Sequence, residues 1–387
     1  MDIESKIKSY FSEFSNYFHK EKNYSIGVDV GSNNFKIVEL EKKDGKILLK
    51  NYALVRVSED TLKENSSDIG EYTGKVLKKV FDDVGIKNRE VNTAVPSTSA
   101  LITLLDIDAK KTEYLEQAVE LEAPKYIPVK ISDVVYDWQV VGEQNISDED
   151  DSQEKKNKDD ELSAIQEEAS GKSTKKILLV SVMKEISKNF ESVFTKNDFE
   201  VESLEIDCFS VKRALTDKKG SYIILDIGGK VANIIGTYKG DLIFNRNIDK
   251  AGDRLTELIS QTLGVSKDKA EKLKIEKGLE MGSADAVENI VKPFFDSIAD
   301  QVRKAINEFT FFYGKEGVDA LILTGGTSQM NGIKKYLDSK LDLKVYYGNP
   351  WSKVSYPPEL EGKINSLSPY FSIAVGLALS GFESKKN

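Results

Sequence analysis

Apolar and polar positions along the chain predict a repeated strand–turn–strand unit. Alternating runs give strands at about 24–30, 35–41 and 46–57, the last two joined by Lys42-Lys43-Asp44-Gly45, in which Asp-Gly is a strong hairpin signal. Ile69, Tyr72, Val76, Val80, Phe81 and Val84 then recur on one face of a helix that ends near Gly85, and 91–95 reads as a further strand. After a different middle region, the order returns: YIILDIGGKVANIIGTY at 222–238 is a second hairpin, and 241–247 is its third strand. Such duplication implies two similar domains facing each other across a cleft.

The middle region, 96–198, predicts a strand at about 99–107, a helix at 112–124 stopped by Pro124 and Pro128, and strands at 134–141 and 176–183. Those last two strands enclose 143–175, a mixed-charge stretch poor in aromatic and β-branched residues, expected to be a disordered loop. A helix at 185–197, a strand at 201–206 and a helix at 208–216 follow. At the N-terminus, Ile3, Ile7, Phe11, Phe14 and Phe18 form a helical stripe over 1–22 whose polar face carries both signs. That stripe fits docking on protein, with disorder or membrane contact as the alternatives.

An aspartate interrupts the first apolar run of each hairpin: Asp29 in IGVDVG and Asp226 in IILDIGG. A buried carboxylate without compensation is unfavourable, and a hydrated Mg²⁺ shared by two such groups would supply it. The glycines beside them, Gly31 and the pair Gly228-Gly229, let turn backbones approach phosphates, and Ser32, Asn33 and Asn34 add hydrogen-bonding side chains. A third element, ALILTGGTS at 320–328, runs from a buried strand into a Gly-Gly turn, a junction suited to a nucleotide's sugar and α-phosphate.

Composition narrows the chemistry. A chain of 387 residues, 40% hydrophobic and 31% charged, fits a globular protein of two or more domains. It has no apolar run of the roughly 18 residues that span a bilayer and no secretory signal pattern, so the cytoplasm is expected. The single cysteine, Cys208, and single histidine, His19, argue against disulfides, Ser-His-Asp and His-metal chemistry. A formal charge of −9 speaks against general nucleic-acid affinity. Gly171-Lys172-Ser173-Thr174 is not a P-loop, because Gln166 replaces the first glycine and no strand precedes it.

With these motifs in hand, the chain resembles the actin-like ATPase superfamily: VDVGSNNFK (28–36), LDIGGKVANI (225–234) and LTGGTS (323–328) resemble its two phosphate motifs and its adenosine motif. Within it, ELEAPKYIP (120–128) with YDWQV (136–140), and DKAGDRLT (249–256) with AEKLK (270–274), resemble the PilM family of type IV pilus assembly proteins, relatives of the cell-division protein FtsA. The resemblance implies an α/β, ribonuclease H-like two-domain fold with a 1C-type subdomain inserted in the first domain. Subdomain 1A would comprise 23–95, 199–219 and 366–387; 1C, 96–198; 2A, 220–250 and 318–365; and 2B, 251–317.

Carried over residue by residue, the resemblance implies ATP and Mg²⁺ as cofactors, with Asp29 and Asp226 holding the metal through water. Gly31, Ser32, Asn33, Asn34 and Lys36 would meet the phosphates from one side and Gly228, Gly229 and Lys230 from the other. Lys230 is either an exposed lysine or a cation that offsets phosphate charge. Gly252, Glu271 and Lys274 would line the adenosine pocket, the alternative for the last two being a surface ion pair, with Gly325, Gly326 and Ser328 near ribose and α-phosphate. Asp207 lies near the position that orients attacking water, or is a structural carboxylate; with Asp226 it is the catalytic candidate, and hydrolysis would be slow. The implied role is an assembly scaffold of a type IV pilus or related type II secretion complex. It would sit at the inner membrane through the N-terminal cytoplasmic peptide of a PilN-like protein, held in a 1A–1C groove built from about 50–130. The alternatives are an FtsA-like filament protein, although the chain ends FESKKN without an amphipathic helix, and a small-molecule kinase.

Overall fold

The computed structural model describes residues 22–57, 69–108, 114–146, 172–279, 286–313 and 317–383. The N-terminal stripe (apart from Lys22) and 147–171 of the predicted loop lie outside the described residues.

Two five-stranded sheets share one topology. The first contains β1 (Tyr24–Val30), β2 (Asn34–Lys43), β3 (Lys46–Arg56), β4 (Glu90–Val95) and β8 (Glu200–Ile206), in the order β3-β2-β1-β4-β8. The second contains β9 (Ser221–Ile227), β10 (Ala232–Tyr238), β11 (Asp241–Ile248), β12 (Ala320–Thr324) and β13 (Val345–Tyr347), in the order β11-β10-β9-β12-β13. In each, an antiparallel three-stranded meander is extended by two parallel strands beside its first strand. The duplication in the sequence is therefore a duplication of topology. Burial agrees with it: Ile26 and Val28 in β1, and Ile223, Ile224 and Leu225 in β9, are fully buried, as strands covered on both faces must be.

A third, antiparallel sheet of β5 (Ala100–Asp108), β6 (Val134–Ile146) and β7 (Lys172–Met183), in the order β5-β7-β6, is inserted between β4 and β8. One of its faces is covered by α2 (Leu115–Tyr126), where Val119 and Ala123 meet Leu105, Ile177 and Leu179. The strands run further than their composition predicts. The β6–β7 ladder continues to Ile146↔Lys172, so 143–146 and 172–175 are strand rather than loop, because main-chain pairing does not depend on apolar side chains. Helix α2 likewise continues through Pro124 to Tyr126; near a C-terminus the proline forfeits one hydrogen bond, and the Ile127 N–H still closes on the Ala123 carbonyl.

The remaining helices are α1 (Ile69–Val84), α3 (Lys184–Thr195), α4 (Asp207–Leu215), α5 (Gly252–Leu263), α6 (Lys267–Glu276), α7 (Ala286–Tyr313), α8 (Ile333–Lys340), α9 (Glu361–Leu367) and α10 (Ser372–Ser380). Helices α4 and α10 pack against each other between the two large sheets, α10 on β1, β2 and β4, and α4 on β8, β10 and β11. They touch backbone to backbone: a Cβ on Gly376 would lie 2.0 Å from the Ser210 carbonyl oxygen. One boundary differs from expectation. The segment from Trp351 to Ile364, expected with subdomain 2A, packs on the first sheet against Val38, Leu40, Leu49 and Phe371. Ser355 pairs with the edge of β3, donating to the Ile47 carbonyl (2.8 Å) and accepting from the Leu49 N–H (2.9 Å). An edge strand with unpaired main-chain groups captured a partner that periodicity could not indicate.

Candidate functional site

Asp29 and Asp226 stand near the ends of the matched first strands, each 8% exposed. In the ladders Asp29 lies opposite Lys36 of β2, while Asp226 lies between Asn233 of β10 and Thr324 of β12. The Lys36 ammonium is 3.0 Å from Asp29 Oδ2. Burial pushes the Asp226 carboxyl up to about 6, the Asp29 charge adds to the rise, and Lys36 opposes it. A third acid, Asp207 in the first turn of α4, accepts a hydrogen bond from the Ser97 N–H (3.1 Å). Burial pushes it up to about 7, with Asp226 and Asp29 adding their charge. The two first strands and the head of α4 thus bring three carboxylates within electrostatic reach of one another, with the Lys36 ammonium beside Asp29. Among the described residues no group of three or more His, Cys, Asp or Glu side chains is arranged to cage a metal.

The turns beside these carboxylates pack closely. Asn33 crosses between the repeats, its Nδ2 donating to Asp253 Oδ1 at 2.8 Å, and a Cβ on Gly229 would meet that nitrogen at 2.5 Å. A Cβ on Gly31 would lie 2.9 Å from the Asn34 main-chain carbonyl oxygen, and Ser32 and Asn34 are half-buried. The second turn is tied to the head of α5: Gly252 N–H donates to the Gly228 carbonyl (3.0 Å) and Asp253 N–H to the Gly229 carbonyl (2.9 Å). Gly325 has φ +86°, and a Cβ there would stand 2.4 Å from Asp226 Oδ1, so this position admits glycine alone. A Cβ on Gly326 would lie 2.7 Å from the Tyr370 ring. Lys230 is exposed at the tip of the second turn.

Two predicted residues are buried and bonded to the backbone behind the turns. Lys274 is buried and spends its three protons on the Gly252 carbonyl (3.2 Å), Thr256 Oγ1 (2.9 Å) and Glu271 Oε2 (2.6 Å). It is therefore not half of a surface ion pair; it pins α6 to the head of α5, leaving Glu271 half-exposed beside it. Ser328 is fully buried, its hydroxyl donating to the Gly325 carbonyl (2.7 Å), so it shapes the Gly-Gly turn from within.

Other residues of the site escaped the sequence reading. Asp253 lies inside the DKAGDRLT stretch, and Asn233 interrupts an apolar run just as Asp29 does, so both carried a readable signal. Thr327, whose hydroxyl donates to the Gly228 carbonyl (3.1 Å), and Ser97, whose hydroxyl reaches Asn247 Oδ1 (3.1 Å) and Asn233 Oδ1 (3.3 Å), carried none. Their partners lie 99 to 150 residues away.

Comparison with known proteins agrees with this fold. The profile of a family described as type IV pilus assembly protein PilM matches residues 27–155 and 161–382. Among solved structures, a PilM–PilN type IV pilus biogenesis complex superposes with TM-score 0.73 at 19% identity, covering 94% of this chain and 100% of that one. The ethanolamine utilization protein EutJ of Carboxydothermus hydrogenoformans superposes with TM-score 0.51 at 15% identity, covering 97% of each chain. Among curated sequences, the cell division protein FtsA of Staphylococcus epidermidis is 22% identical over 388 residues, covering 90% of this chain and 79% of that protein. FtsA of Escherichia coli K12 is 24% identical over 191 residues, covering 42% and 44%.

Proposed function

Because the chain belongs to the PilM family of type IV pilus assembly proteins and has an actin-like fold, we propose that it is an ATP-binding assembly scaffold engaging a PilN-like membrane protein. One observation carries the nucleotide reading: two buried carboxylates, Asp29 and Asp226, come from matched hairpins, the Asp29 charge helps push the Asp226 carboxyl up, and a single ammonium, that of Lys36, lies beside Asp29. Two carboxylates without a third protein ligand suit Mg²⁺, which keeps water and takes phosphate oxygens. The turns at 31–34 and 228–230 would hold the β- and γ-phosphates, while Gly252, Glu271, Gly325 and Gly326 would bound the adenosine. When bound, the metal would neutralise phosphate charge. Asp207, held by the Ser97 N–H at the head of α4, would orient a water for slow hydrolysis.

The partner reading rests on the third sheet. In and around α2, Tyr114, Leu121, Tyr126 and Val129 are 62%, 68%, 44% and 41% exposed, apolar surface within the segment expected to build the groove. The solved relative is a complex of PilM with PilN, and a PilN-like N-terminal peptide is the proposed occupant here. Through it the protein would sit at the cytoplasmic face of the inner membrane; among the described residues no helix is long and apolar enough to cross one.

Thermal unfolding with and without Mg²⁺-ATP tests the nucleotide site. Ligand at about 100 times its dissociation constant should stabilise the wild type by roughly 2.7 kcal/mol, and Asp226→Ala should abolish the gain. No shift in the wild type overturns the assignment. For hydrolysis, Asp207→Asn should lower phosphate release at least about tenfold with ATP affinity unchanged; equal release by the variant would make Asp207 structural only. A pull-down with the PilN-like peptide tests the partner.

A further inference from the structure

Lys36 stands where a cation serving Asp29 would have to stand. In the β1–β2 ladder the two residues lie directly opposite each other, and the Lys36 ammonium is 3.0 Å from Asp29 Oδ2. Their side chains are only 12% and 10% exposed, so water compensates neither charge to any great extent. The ammonium also touches the first turn: a Cβ on Gly31 would lie 2.8 Å from Lys36 Nζ and 3.8 Å from Asp29 Oδ1. Lys36 is thus placed between one carboxylate and the 31–34 turn assigned above to phosphate.

Asp226, in the lobe built on the second sheet, is not paired in this way. It is 8% exposed, and among the described residues no group donates a hydrogen bond to its side chain. Two neighbouring charges act on it, that of Asp29 against its ionised form and that of Lys36 in favour of it. The acid of the first lobe therefore has its cation in contact, while the acid of the second feels the same cation from further off.

A lysine held like this can change partners. Its ammonium is a point charge on a flexible four-carbon stem, free to swing from a carboxylate to another anion nearby. Leaving is costly unless Asp29 receives a replacement cation, because a buried carboxylate stripped of its partner is strongly destabilising. Lys36 also needs an acceptor that carries more negative charge than one carboxylate. A bare dication meets the first condition and fails the second, and the ammonium repels it. A phosphate chain arriving with its metal meets both.

We propose that Lys36 is a resident cation that guards Asp29 in the nucleotide-free protein and is drawn off only by phosphate, so that metal enters with the nucleotide and not ahead of it. The inference rests on the nucleotide reading above and adds an order of entry to it. With nucleotide bound, the ammonium turns to the phosphates at the 31–34 turn and Asp29 is released to hold the metal through water. Adenosine offered with Mg²⁺ gives the ammonium nothing to turn to, so the site demands phosphate.

Binding of Mn²⁺, a paramagnetic stand-in for Mg²⁺, to the full chain without nucleotide tests the order of entry. Electron paramagnetic resonance counts the bound ion directly. Wild type and Asp29→Asn should bind Mn²⁺ alike, because Asp29 is not yet available. Lys36→Met and Lys36→Gln should each gain a site at least about tenfold tighter than any in the wild type, and adding Asp29→Asn should remove it. The comparison of wild type with Asp29→Asn leaves Lys36 untouched, so it can refute the inference even where loss of the ammonium prevents folding. Wild-type binding of Mn²⁺ that Asp29→Asn abolishes, or folded Lys36 variants that gain no site, overturns the resident cation and leaves the nucleotide reading standing. Failure of the wild type to bind Mg²⁺-ATP overturns both.

Discussion

Asp226 shows how a single residue trades stability for a site. Burial and the charge of Asp29 hold its carboxyl up near 6, and Asp207 is raised to about 7. Both folded-state values lie above those of the unfolded chain, so between about pH 4 and pH 7 these two groups bind more protons in the folded protein than in the unfolded one. Their contribution to the stability of the ligand-free protein should therefore fall as pH rises through that window and level off above it, which denaturant titrations of the wild type and Asp226→Asn at a series of pH values would show. Asp226→Asn removes the charge and keeps the shape. At pH 8 it should raise the unfolding free energy by on the order of 2 kcal/mol while losing the Mg²⁺-ATP shift. A destabilised variant would mean that the carboxylate is compensated within the protein. Both aspartates were legible in the sequence, because an acid inside an apolar run has no packing explanation. Ser97, an ordinary serine between strands, had nothing to mark it.

At the scale of elements, the close approach of α4 and α10 is the most demanding packing in the fold. The α10 sequence, SIAVGLALS, is apolar on every side, and Ala374, Val375, Leu377 and Ala378 are fully buried. Gly27 of β1 meets the same helix, a Cβ there falling 2.1 Å from the Ala374 carbonyl oxygen. Gly376→Ala should therefore destabilise the protein by about 3 kcal/mol, read from the urea midpoint, since neither backbone has a flexible end to yield. A change below about 0.5 kcal/mol would show that the helices can part freely. Among strands, Ile146 and Lys172 are ladder partners. Replacing 147–171 with a short hairpin turn should thus leave the melting temperature within a few degrees of wild type. A large loss would place a structural role in that segment.

For the whole molecule, one buried ion cluster fastens the centre to the C-terminal segment. Arg213 of α4 makes a bidentate pair with Glu205 of β8 (2.6 and 2.9 Å), donates to the Gly376 carbonyl (3.1 Å), and reaches Glu383 (2.8 Å). Glu205 also accepts a short hydrogen bond from Ser210. Arg213→Met would strand the buried Glu205 charge inside the first lobe and should cost about 3–5 kcal/mol in chemical unfolding. If Glu205→Gln in the same background fails to restore most of that loss, the charge is not the cause. This cluster holds the first lobe together, whereas the Asn33–Asp253 bridge and the third sheet are two separate ties between the lobes, at the mouth and the flank of the cleft.

The order of strands, the duplicated hairpins, the two aspartates and the glycines of their turns were fixed by local pattern: alternation, turn chemistry and acids out of place are all properties of neighbours in the chain. The cross-strand limits of β6 and β7, the docking of 351–364 on the first sheet, the burial of Lys274 and Ser328 behind their turns, and the joining of Ser97 to Asn247 were decided only by the tertiary structure. Each depends on groups dozens to hundreds of residues apart meeting in space, and chain distance of that kind leaves no periodic trace in the residues themselves.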